Sequence, residues 1–220
     1  RKDVAAYRIV ESAHSHDSAA KAVELVRAGE AVLLMKGSLH TDELMGAVVS
    51  RATGLRTERR ISHAYVMDVP GHPTPLIITD AAINIEPGLE EKADIIRNAI
   101  GLAHVMGVEE PRVAILSAVE TVNPAMPTTL DAAALCKMAD RGQITGGLLD
   151  GPLAFDNAIS MDAVRIKGIA SAVAVLHGTE AARRGHSGPP MPGRWPTVPR
   201  LVTHTPIETA TNTGFPPVDE

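Results

Sequence analysis

Asp150 and Asp156 stand six residues apart around a turn at Gly151-Pro152, which runs on through Leu153-Ala154-Phe155, after an apolar run and before a stretch of helical pattern. Punctuation of that kind builds a site at the end of a strand, where carboxylates can orient a substrate or move a proton. The pair resembles a glycosidase acid/base pair by count alone, since sequence spacing does not set a distance. A second stretch, Lys36-Gly37-Ser38-Leu39-His40-Thr41-Asp42, joins an apolar run to a helical one. Gly37 lets the backbone approach a ligand closely. Ser38, His40 and Thr41 offer hydroxyl and imidazole groups beside the free N–H groups of the next helix, and such helix starts attract phosphate. A Ser or Thr there is more often only a cap. No glycine stands five residues before Gly37, so the loop is not a P-loop. Arg51, Arg56, Arg59 and Arg60 follow. A guanidinium clamps phosphate through two parallel hydrogen bonds, although any single member reads first as a solvated turn.

Two more apolar runs end in polar groups. Thr79-Asp80-Ala81-Ala82-Ile83 leads to Asn84, and Val113–Leu116 leads to the loop Glu120–Thr129. Open α/β sheets place their sites at such ends, and the Ser38 and Thr128 loops are expected to face one cleft. Other groups are set aside. His14 and His16 would point the same way on a strand but have no third ligand at a convincing spacing. Cys136 shares a helical face with Ala132, Leu135 and Ala139, which argues for core packing over a nucleophile.

The elements that must hold these residues follow from periodicity. Ser18–Ala28 reads as a helix stopped by Gly29, Ala31–Met35 as a buried strand, and Asp42–Ala52 as a second helix. Ile61–Val69 and Leu76–Thr79 read as an antiparallel strand pair joined at Pro70-Gly71-His72-Pro73. Leu89–Met106 reads as a long helix, Val113–Leu116 as a strand, Thr129–Ala139 as a helix, Gly146–Leu149 as a short strand and Asn157–Ile169 as a helix. After about Val175 the pattern fails. Half of the sixteen prolines fall in residues 177–220, so that segment is read as a disordered or non-native tail, with a change of reading frame near Ala174 as the sharper explanation.

Composition narrows the class. Apolar residues make up 45% but aromatic residues only 2%, so the core is aliphatic and suits parallel strands covered by helices. The formal charge of −5 leaves no basic surplus for a nucleic-acid backbone. One cysteine excludes an internal disulfide framework and fits a reducing cytoplasm. No run approaches a membrane span. The start, Arg1-Lys2-Asp3-Val4, reads as a fragment's beginning.

The order of motifs resembles the phosphate acetyltransferase and phosphate butyryltransferase family. The resemblance covers about residues 20–173. It rests on Lys36–Thr41, Ile61–Met67, Thr79–Asn84, Val113–Ser117, Asn123–Pro127 and Asp150–Asp156. It is nearest the branch often described as bifunctional, with a fused enoyl-CoA hydratase domain in full-length relatives. The fold it implies is α/β, a three-layer α/β/α two-lobed architecture like that of isocitrate and isopropylmalate dehydrogenases, here incomplete and truncated at both ends. Residues 1–111 would form part of the first lobe, 112–176 part of the second, and 177–220 the tail. The implied activity is reversible transfer of an acetyl or other short acyl group between coenzyme A and inorganic phosphate. Coenzyme A is a substrate, and no cofactor or metal is implied. The implied partners are acyl-CoA, phosphate or acyl phosphate, and a second copy in a homodimer, with no nucleic acid and no membrane.

The resemblance assigns substrate binding to Gly37, Ser38, His40, Thr41, Arg59, Arg60, Asp150, Gly151 and Asp156. The family's late Ser-Arg segment and following Asp have no match after Ile169, so the phosphate-binding arginine and proposed base of that segment are unassigned in this chain. A non-catalytic lobe that binds acyl-CoA or serves regulation or oligomerisation is the competing reading. An oxidoreductase of the same fold lacks its glycine-rich dinucleotide fingerprint here.

Overall fold

The computed structural model describes residues 7–70, 75–171, 173 and 200–203. The chain divides into two compact units, Arg1–Arg59 and Arg60–Glu220. The division falls at Arg59/Arg60 and not at the expected 111/112, because strands from both sides of residue 111 belong to one sheet.

The first unit is a helix pair. Helix α1, Ser15–Arg27, is capped by the His14 ring, which accepts from the Asp17 amide at 3.2 Å. It buries Ala19 and Val23, one turn apart on the same face. Gly29, at φ 74°, turns the chain out of the helix. Helix α2, Thr41–Val48, packs against α1. The strand expected over 31–35 does not form. Val32, Leu33 and Met35 are exposed, and no main-chain hydrogen bond joins this run to another among the described residues. A strand has no internal ladder, so an apolar run with no paired neighbour stays irregular whatever its composition.

The second unit carries a five-stranded sheet. Strands β1 (Ala64–Met67) and β2 (Leu76–Thr79) pair antiparallel, as their connection suggested. Helix α3 (Leu89–Val105) leads to β3 (Arg112–Leu116), and helix α4 (Pro127–Asp140) to β4 (Leu148–Leu153). Two short helices follow, α5 (Phe155–Ile159) and α6 (Met161–Lys167). One helix was expected over 157–169. It breaks at Ser160, whose backbone is extended and whose hydroxyl accepts from the Ala163 amide as an N-cap. The fifth strand, β5, is Arg200–Thr203. It lies inside the segment read as a disordered tail and corrects that reading for these four residues; residues 177–199 and 204–220 lie outside the described ones. The strand order is β1-β2-β5-β3-β4, with β2, β5, β3 and β4 mutually parallel.

Alternation along β3 builds two cores. Val113 and Ile115 join Ile77 and the α3 and α4 residues Ile96, Ile100, Ala132 and Leu135 on one face. Ala114 and Leu116 join Leu153 and Ala158 on the other. β3 is thus buried on both sides, as its unbroken apolar run requires. No helix among the described residues is long and apolar enough to cross a membrane.

Candidate functional site

Four parallel strands point their carboxyl ends to one edge of the second unit's sheet. β1 runs the other way, so the residues before it share that edge. This is where open α/β sheets bind ligands. The edge gathers two polar clusters, one after β2 and one after β3 and β4.

The first cluster is built on Asp80 and Asn84, both buried. Asp80 accepts from the His63 amide at 2.7 Å and from the Asn84 amide and side chain at 2.6 Å each. Asn84 in turn accepts from Arg60 Nε at 2.9 Å and donates to the Ile61 carbonyl at 3.0 Å. The Arg60 amide donates to Asp94 at 2.9 Å, and its guanidinium meets Glu91 at 3.3 Å. Arg60 is therefore held at both backbone and side chain while still exposed to solvent. Asp80 and Asn84 serve as its anchor, which apolar-to-polar transitions in sequence marked as a site without revealing that role.

The second cluster joins the loop after β3 to the helices after β4. Lys167 donates to Glu120 at 2.8 Å and reaches Asp156 at 3.0 Å. Asn157, fully buried, donates to Glu120 through Nδ2. Among the described residues its Oδ1 has no hydrogen-bond partner. Hydrogen bonding from Lys167 holds the Glu120 and Asp156 carboxyls below their usual values, and those two carboxylates raise the lysine's. Nearby, Ser117 Oγ and Thr128 Oγ1 share a hydrogen bond of 2.8 Å, so the Thr128 loop is tied to the end of β3. Lys167 was not singled out in the sequence, because a lysine between two carboxylates far off in the chain leaves no spacing signal. β5 lies between β2 and β3, so the ends of those two strands are two strand spacings apart, about 10 Å.

The Asp150–Asp156 stretch is not one turn. Asp150, Gly151 and Pro152 lie inside β4, where Asp150 sits opposite Ala114. The Gly151–Pro152 peptide is cis, and the proline lies on an edge strand, where no ladder donor is lost to a second neighbour. A Cβ at Gly151 would stand 2.7 Å from the Ile115 carbonyl oxygen and 2.9 Å from its Cβ. The glycine is thus needed for strand contact. The Asp150 carboxylate accepts from the Gly151 amide at 2.9 Å, and only Asp156 lies at the carboxyl edge. Burial, with Asp150 close by, pushes the Cys136 thiol up to about 12, which agrees with a packing role.

In the first unit, Ser38, His40 and Thr41 are exposed around the start of α2, and a Cβ at Gly37 would meet nothing within 4 Å. Lys36 Nζ folds back onto the Leu39 carbonyl at 3.0 Å and brings a positive charge over this loop. The start of α2 itself is already compensated. Asp42 and Glu43 occupy its first turn, and Glu43 accepts from the His40 amide at 3.3 Å. An anion here is served by the loop side chains and Lys36, against two carboxylates at the helix end. Asp42 and Glu43 also line a cleft of about 1030 Å³ between α1 and α2, with His16, Asp17, Lys21 and Arg27. Arg59 is exposed, with its amide on Thr57 Oγ1 at 3.2 Å. Among the described residues no group of three His, Cys, Asp or Glu is placed to hold a metal ion.

Comparison with known proteins adds an independent line. Residues 1–176 match a family model described as Phosphate acetyl/butaryl transferase. The chain is 67% identical over 174 residues to a phosphate acetyltransferase of Rhizobium meliloti, covering 79% of this chain and 55% of the relative. It is 45% identical over 172 residues to a phosphate butyryltransferase of Clostridium acetobutylicum, covering 78% and 57%. A branched-chain phosphotransacylase of Enterococcus faecalis V583 matches in structure with a TM-score of 0.68 at 29% identity, over 89% of this chain and 62% of that one. The chain spans about half the length of the curated relatives it matches.

Proposed function

The chain belongs to the phosphate acetyl/butaryl transferase family, and from that premise we propose that it transfers an acetyl or short acyl group reversibly between coenzyme A and inorganic phosphate. The family match across residues 1–176 carries this reading. The three-layer α/β/α two-lobed architecture of isocitrate and isopropylmalate dehydrogenases, a cytoplasmic location and a homodimer belong to the same proposal.

Phosphate is a weak nucleophile and a thioester a moderate electrophile, so the protein's task is positioning and charge stabilisation. A phosphate oxygen attacks the thioester carbonyl, the tetrahedral oxyanion collapses, the C–S bond breaks, and a proton returns to the departing thiolate. Cations and polar hydrogens are needed to hold the phosphate. Taken by itself, the loop at the start of α2 offers Lys36, Ser38, His40 and Thr41 as anion-binding groups. Arg60, braced by Asn84, supplies a guanidinium suited to this. Arg59 is a weaker contributor, having no bracing partner of that kind. Asp156, kept anionic by Lys167, is suited to orienting a donor. In this reading the transfer uses no metal and no cofactor beyond coenzyme A as substrate.

A coupled assay of the full chain with acetyl-CoA and phosphate, following free thiol, tests the reading. Phosphate-dependent release is expected to fall at least tenfold in Ser38→Ala, His40→Ala. Saturable coenzyme A binding with no turnover would replace the proposal by a non-catalytic lobe.

A further inference from the structure

Five of the chain's six lysines lie among the described residues, and four of those are tied to carboxylates. Lys21 pairs with Asp17, Lys92 with Asp131, Lys137 with Asp140, and Lys167 with Glu120 and Asp156. Lys36 is the exception. Its Nζ donates to the Leu39 carbonyl at 3.0 Å and meets no carboxylate among the described residues. Lys36 is exposed, as are Ser38, His40 and Thr41 of the loop over which it folds. The difference has a chemical consequence, because an amine is a nucleophile only after it gives up its proton. A neighbouring carboxylate keeps that proton on, as Glu120 and Asp156 do for Lys167 by raising its pKa.

The proposed reaction makes an acylating agent, an acyl phosphate. We propose that Lys36 is a site of N-acylation by acyl phosphate held on its own loop, and that the modification loosens the loop's hold on phosphate. The inference rests on the acyl-transfer reading, which supplies the acyl phosphate and makes the loop a seat for its phosphate group. The uncharged Lys36 amine, its first proton already lost to solvent, adds to the acyl carbonyl. The bond from the carbonyl carbon to the phosphate oxygen breaks, inorganic phosphate leaves with the electron pair, and the nitrogen sheds a second proton. The product is an amide, far less reactive than a thioester or an acyl phosphate, so the adduct lies off the transfer pathway. Proximity supplies the selectivity. A phosphate group seated on Ser38, His40 and Thr41 carries its acyl carbon to the loop that Lys36 overlies, and the bimolecular step becomes a local one. Acylation then removes the ammonium charge, while Asp42 and Glu43 remain at the start of α2 to repel an anion. Accumulated product thus weakens the seat for phosphate.

The test treats the full chain with added acetyl phosphate and, in parallel, with acetic anhydride, which has no phosphate group to be held. Acetylation of each lysine is then measured by peptide mass spectrometry. The ratio of Lys36 to Lys137 labelling is expected to be about tenfold higher with acetyl phosphate than with the anhydride, and excess inorganic phosphate should bring the two ratios together. Lys36→Gln, which imitates the acylated side chain, is expected to raise the KM for phosphate about tenfold and leave that for coenzyme A unchanged, whereas Lys36→Arg keeps both. Equal ratios with the two reagents, no protection by inorganic phosphate, or an unchanged phosphate KM in Lys36→Gln would each overturn the proposal. The labelling needs no turnover and decides on its own if the chain shows none. A chain that makes no acetyl phosphate defeats the acyl-transfer reading, while selective, phosphate-protected labelling by the added reagent still establishes Lys36 as the site.

Discussion

At the scale of single residues, position in the fold decides which polar groups are free to act. Asp80 and Asn84 spend their hydrogen bonds on the backbone and on Arg60, so the guanidinium is the group they present. Asp150 and Asp156 look alike in sequence, yet one is a strand residue near Cys136 and the other a strand-end residue beside Lys167. The thiol supplies a pH prediction. A group whose pKa is raised on folding holds its proton more tightly in the native state, so its contribution is intact below the unfolded value and is lost as pH rises towards the folded one. From about pH 9 to about pH 12, native stability should therefore fall more steeply than in Cys136→Ala, as measured by urea unfolding at stepped pH. Parallel slopes would show that the thiol is open to solvent. In the same way, Cys136 should resist thiol reagents near pH 8 until the chain unfolds.

The elements show which signals in the sequence were sufficient. Helices α1, α3 and α4 and strands β1 to β3 were legible, because each has an apolar period long enough or bounded sharply enough by glycine or proline. Ala31–Met35 reads as a strand by the same rule and is none, since a ladder needs a neighbour that periodicity cannot supply. Arg200–Thr203 shows the converse. Four residues amid proline carry too little pattern to be recognised, yet they pair on both sides between β2 and β3. Gly151-Pro152 was read as a turn because those residues usually make one. Here the glycine answers the close approach of Ile115, and the proline is tolerated at an edge. Gly151→Ala should accordingly cost about 1–3 kcal/mol by overpacking against β3, read as a lowered urea midpoint. A midpoint unchanged within error would mean that β3 and β4 are not held at this spacing.

For the molecule as a whole, the sheet's topology did more than any motif to define a site. Parallel order places the ends of β2, β3 and β4 along one edge and sets the Arg60 and Lys167 clusters there, although they come from distant parts of the chain. Motif order revealed the family, but neither the bracing of Arg60 nor the lysine between Glu120 and Asp156, which exist only once the chain has folded. The acyl-transfer account is most directly tested by following the full chain with acetyl-CoA and inorganic phosphate by phosphorus NMR. The account predicts an acetyl phosphate resonance that grows in step with free thiol and is strongly diminished in Arg60→Met. Thiol release with no acyl phosphate, or no reaction at all, would contradict it.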